Sequence, residues 1–124
     1  MTIKAEIATV HIGPISMQGL MSENGDFGVA VPQLAEHFQT NKNQASREFK
    51  ALLGKGFQFD KWKTPLNPKA VNVLTLDQLQ EVIRGMDKRR NAVATMLVDA
   101  LFGLSLHQLF SDALLYDRDW ETLT

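Results

Sequence analysis

Apolar and polar residues alternate over 3–10, with Ile3, Ala5 and Ile7 on one parity and Lys4 and Glu6 on the other, as in a half-buried β-strand. Gly13-Pro14 breaks that run. Residues 15–21 and 27–31 flank the sequence SENGD, and together they predict a β-hairpin over 15–31. Its Asn24-Gly25 pair suits a type I′ or related turn, because both residues tolerate positive φ. Pro32 comes next, compatible with the first turn of a helix. Residues 32–39 and 42–53 then read as two short helices. In the second, Ala45, Phe49 and Leu52-Leu53 form one apolar stripe, and Gly54 and Gly56 stop it. The runs FQFDKWK (57–63, with Phe57, Phe59 and Lys61 on one side) and AVNVL (70–74) alternate around a Pro/Asn-rich loop and predict a second hairpin. Thr75 and Gln78 have capping-box spacing ahead of a helix whose buried stripe is Leu76, Leu79, Val82-Ile83 and Met86. A helix from about Asn91 to Phe102 is apolar on most faces, which implies burial or a subunit contact, and Gly103 breaks it. Ser105 caps a last helix carrying Leu106, Leu109, Phe110, Ala113 and Leu114. The order of elements is an α+β pattern. It is read as one domain over 1–124, with the hairpin, helix pair and second hairpin in 15–75 and a helical part in 76–116.

A chain of 124 residues with 44% hydrophobic and 22% charged residues can bury one core. Its longest uncharged apolar stretch falls far short of the roughly 20 residues that span a bilayer. The alternating start is unlike a secretion signal, and there is no cysteine for a disulfide, a thiolate zinc site or a nucleophile. The expectation is a soluble cytoplasmic protein without a membrane partner.

The formal net charge of −1 conceals an asymmetry. From Lys42 to Lys69 there are seven cations (Lys42, Arg47, Lys50, Lys55, Lys61, Lys63, Lys69) against Glu48 and Asp60, a net +5, while the remainder carries −6. A basic middle between acidic flanks is the electrostatic footprint of a surface that meets phosphates, or else a solvated lysine face. A second basic knot, Arg84 with Lys88-Arg89-Arg90, either extends that surface or is an exposed helix face, and the acidic Asp112, Asp117, Asp119 and Glu121 would repel DNA.

The segment LAEHFQTNKNQASREFKALL (34–53) has helix-turn-helix spacing. Ala35 allows close approach of the second helix, Phe38 points between the two, Gln39-Thr40-Asn41 is the turn, and Asn41 can cap the second helix. With Ala45 and Phe49 inward, Lys42, Asn43, Gln44, Ser46, Arg47 and Lys50 face out. Arg suits guanine, Asn and Gln suit adenine, and Lys and Ser suit phosphate. The competing reading is a plain packed helical hairpin. Ala45-Ser46-Arg47-Glu48-Phe49 resembles the second helix of repressor-type helix-turn-helix proteins, although Gln39 stands at the turn position often held by glycine and Thr40 where an apolar residue is usual. A hairpin directly after such a helix is a winged-helix arrangement, here offering Lys61, Lys63 and Lys69 to phosphate, with Trp62 either a wedge or core.

The larger layout resembles the N-terminal domains of phage and viral antirepressors, the Bro-N and KilA-N-like group. The matching pieces are Gly19-Leu20 with Asn24-Gly25-Asp26-Phe27, then Val31 to Leu53, then Val71-Asn72-Val73-Leu74-Thr75-Leu76, across roughly residues 15–100. The resemblance implies a DNA-associated role in a phage, prophage or plasmid setting.

Catalysis finds little support. His11, His37 and His107 share no ligand spacing, and Gly54-Lys55-Gly56 is too short for a phosphate loop. Asp60-Lys61 alone is weak evidence for a nuclease, and the histidines read as structural or solvated, His107 within reach of Asp112 or Asp99. The expectation is a non-enzymatic, nucleoid-associated reader of double-stranded DNA, acting as a homodimer in transcriptional regulation, without cofactor or metal. Asn43, Gln44 and Arg47 would meet base edges, and Lys42, Ser46, Lys50, Lys61, Lys63 and Lys69 phosphates. The alternative is a protein-interaction module, antirepressor-like, using the apolar C-terminal helices and not DNA.

Overall fold

The computed structural model describes residues 3–101 and 104–116. Its strands are β1 (Ile3–Ile12), β2 (Ile15–Ser22), β3 (Phe27–Ala30), β4 (Asp60–Lys63) and β5 (Val71–Thr75). Its helices are α1 (Val31–His37), α2 (Lys42–Leu53), α3 (Leu76–Lys88), α4 (Ala92–Ala100) and α5 (Leu106–Ser111), the last running into a π-helical turn, Asp112–Tyr116. The α+β class is therefore observed. Phe102, Gly103 and the acidic positions Asp117, Asp119 and Glu121 lie outside the described residues.

The strands close into a barrel in the order β1-β2-β3-β5-β4, with β4 returning to pair with β1 in parallel. Gly13-Pro14 does not end the first strand's pairing. It turns β1 directly into β2, Gly13 at φ 59, and the two strands stay in register from Ala5 opposite Ser22 to Ile12 opposite Ile15. The covered face of β1 changes along its length: its first half turns one face to the barrel interior, and its second half turns the other face to the helices. Ala5, Leu20, Trp62 and Val73 fill the barrel, while Val10, Ile12 and Met17 join the larger core under the helices with Phe110 and Leu114. That second covered face explains why the apolar parity of β1 changes between Ile7 and Val10.

The expected hairpin between β2 and β3 forms, but its turn differs. Gly25 takes φ 89, whereas Asn24 does not enter the positive region, which excludes a type I′ turn. Ser22 organises the longer connection instead, its Oγ accepting from the N–H groups of Asn24 and Asp26 at 3.3 and 3.1 Å. The second hairpin also differs from expectation. The strand occupies only Asp60–Lys63, and the pair β4–β5 does not project as a free wing, because β4 binds β1 on its other edge and β5 binds β3. Its core residue is Trp62, 2% exposed. Gly28 makes room for that indole, since a β-carbon there would lie 2.9 Å from Trp62 Cζ3 and 2.8 Å from the Leu74 carbonyl oxygen.

Thr75 begins α3 as expected, with Gln78 Oε1 accepting from the Thr75 N–H at 3.0 Å. The helix at 92–100 is less enclosed than its apolarity suggested. Ala94 and Leu97 are buried, but Ala92, Thr95, Met96 and Asp99 are exposed. Asn91 caps it, accepting from Val93 and Ala94.

Candidate nucleic-acid interface

Helices α1 and α2 meet through Phe38 and Phe49, whose rings pack edge to face at 6.1 Å. Ala35 and Ala45 are buried in the same core, consistent with a close approach of the two helices. Helix α1 stops at His37, earlier than the pattern suggested, and Gln39 takes φ 61. This residue is in the left-handed region that glycine usually fills, and Thr40 N–H reaches back to the Ala35 carbonyl at 2.9 Å. The same closure ends α3, where Arg90 takes φ 63 and Asn91 N–H reaches Met86. A hydrogen-bonded helix end thus forms at each place without glycine. Asn41 then caps α2, its side-chain oxygen accepting from Gln44 N–H at 2.8 Å.

With Ala45 and Phe49 inward, the outward face of α2 carries Lys42, Asn43, Gln44, Arg47 and Lys50, all exposed, and Ser46 half-buried at its margin. Gln44 is engaged on that surface, donating from Nε2 to Glu48 Oε1 at 3.1 Å. Lys50 lies over the Phe59 ring, its ammonium nitrogen 5.6 Å from the centroid. Phe59 in turn packs edge to face on Phe57 at 5.2 Å. Beside them lies a shallow hollow lined by Lys50, Gln58, Phe59, Lys61 and Asn72, so that α2 and β4 bring lysines to one depression.

On β4, Lys61 and Lys63 are exposed on the face opposite the buried Trp62. Lys69 is exposed in the 64–70 connection, which leaves β4 at its Lys63 end. Lys4, absent from the residues expected at a phosphate surface, is the parallel partner of Lys63. Only the closure of the barrel brings these two together, across 59 positions of sequence, so no local signal announces it. The knot Arg84, Lys88 and Arg89 lines a different groove, beside Leu52 and Gly85 where α3 packs on α2, with Glu81 among its lining residues.

The histidines take varied places. His107 stacks edge to face on Phe27 at 5.3 Å, while Asp112, one of its two expected partners, receives Gln108. His11 shares a hydrogen bond with Ser16 at 2.8 Å. Among the described residues no group of three or more His, Asp or Glu side chains is placed to hold a metal ion, and no described helix is long and apolar enough to cross a membrane. No family model, curated protein or solved structure matches the chain.

Proposed function

We propose that this protein binds double-stranded DNA sequence-specifically and serves as a transcriptional regulator of the phage, prophage or plasmid type. The observation that carries this reading is the convergence of the exposed α2 face with β4 at the Lys50–Lys61 hollow. In this reading α2 enters the major groove as the second helix of a helix-turn-helix. Arg47 and Asn43 meet base edges, and Lys42, Ser46, Lys50, Lys61, Lys63 and Lys69 meet phosphates. Gln44 becomes a base reader only by giving up Glu48. The β4–β5 pair takes the part of a wing while staying in the barrel wall.

The test is fluorescence anisotropy of labelled duplex DNA against salt, for the wild type and for Arg47→Glu with Lys50→Glu. Binding that falls steeply with salt and is lost in the double variant supports the reading. A folded wild type that binds no duplex at low salt ends it.

Homodimerisation belongs to the same proposal. Met96, Leu104 and Leu115 are 44%, 56% and 38% exposed around α4 and α5, a surface suited to a second copy. The same apolar surface favours the second reading, an interaction module that does not touch DNA. In that case the Arg47 and Lys50 substitutions are silent, and Leu104→Asp abolishes association in light scattering.

A further inference from the structure

The cationic surface does not stop at the hollow. From Lys61 it continues along the outer face of β4 to Lys63, about 6.6 Å further at strand rise, then across to Lys4 on β1, about 4.8 Å away at strand spacing. Like charges side by side on neighbouring strands repel and cost stability. The row ends at Glu6 on β1 and where Glu23 accepts from the Lys4 backbone N–H at 3.4 Å.

We infer that Lys61, Lys63 and Lys4 form a rail for the DNA phosphodiester backbone on the barrel wall. This deepens the DNA-binding reading and rests on it. The rail adds a phosphate track beside the stretch of duplex that α2 reads. Its span of about 8 Å corresponds to about two phosphates of one strand at about 3.4 Å of axis each. Lysine suits this task because an ammonium on a flexible stem follows a backbone without reading base edges. The alternation of β4 serves both ends at once. Trp62 holds the barrel from within, and its two neighbours point at the partner.

The experiment measures the salt dependence of binding to short labelled duplexes for wild type, Lys4→Gln, Lys63→Gln and the double variant. Each lost phosphate contact makes the slope of log K against log salt shallower by about 0.9, and the preference among duplex sequences stays as in wild type. The Lys4→Arg/Lys63→Arg variant keeps the wild-type slope. An unchanged slope in the double glutamine variant, with Arg47→Glu/Lys50→Glu still abolishing binding, overturns the rail and leaves the α2 reading standing. A changed sequence preference also overturns it, since the lysines would then be reading bases. A wild type that binds no duplex at low salt removes both. If the double variant melts below the wild type, the single variants and the arginine variant decide between these outcomes.

Discussion

Lys50 on helix α2 stands over the ring of Phe59, its ammonium nitrogen 5.6 Å from the centroid. The contact ties the outward face of α2 to the segment that enters β4. An exposed cation–π pair contributes only about 0.5–1 kcal/mol, so the arrangement is more useful for holding the charge in place than for stability. Lys50→Ala is therefore expected to lower stability by less than about 1 kcal/mol in urea titration, while removing close to one unit of salt slope from DNA binding.

Gln39 occupies the left-handed region at φ 61, which costs a non-glycine residue about 1–2 kcal/mol. Gln39→Gly removes that strain but enlarges the freedom of the unfolded chain, which offsets part of the gain. The expected net effect is stabilisation of up to about 1 kcal/mol by chemical denaturation, with DNA binding unchanged. Destabilisation would mean that the Gln39 side chain contributes to the turn in a way its backbone does not reveal.

Trp62 fills the barrel against Ala5, Leu20 and Val73. Trp62→Ala leaves a large cavity and is expected to cost about 3–5 kcal/mol. Gly28→Ala should also destabilise. The new methyl would meet a backbone carbonyl oxygen at 2.8 Å, which cannot swing aside as a side chain can. Thermal melting of both variants checks these directions, and a wild-type melting point for Trp62→Ala would contradict the closed barrel.

Glu48 holds Gln44 by a 3.1 Å hydrogen bond and puts a negative charge beside the outward face of α2. Glu48→Gln removes that charge. Anisotropy titrations are expected to show duplex binding several-fold tighter, with modest change in stability, because such exposed helical pairs are worth about 0.2–0.5 kcal/mol. Weaker binding would assign Glu48 a positioning role for Gln44 at the DNA.

Much of the fold was legible along the chain because its signals are local. Alternation marked the strands, Asn41 and Ser105 marked helix starts, and the apolar stripe through Ala45 and Phe49 defined the exposed face of α2. The turn at Asn24-Gly25 departs from the type I′ form because the Ser22 hydroxyl binds the N–H groups of Asn24 and Asp26, a contact that the Asn-Gly pair does not announce. Phe57 and Phe59 misled in extent: they alternate like a strand but pack partly buried against the core before β4 begins.

The sequence by itself determined which residues lie on the outward face of α2, since helical periodicity and an N-cap need only near neighbours. It also determined that Trp62 and its flanking lysines point to opposite sides, because a strand alternates wherever it is placed. Only the tertiary structure decided what those lysines lie beside. The parallel pairing of β1 with β4 is non-local, so neither the closed barrel nor the meeting of Lys63 with Lys4 is written in any window of the chain. The same closure turned the expected free wing into a barrel wall, because both edges of the β4–β5 pair found backbone partners.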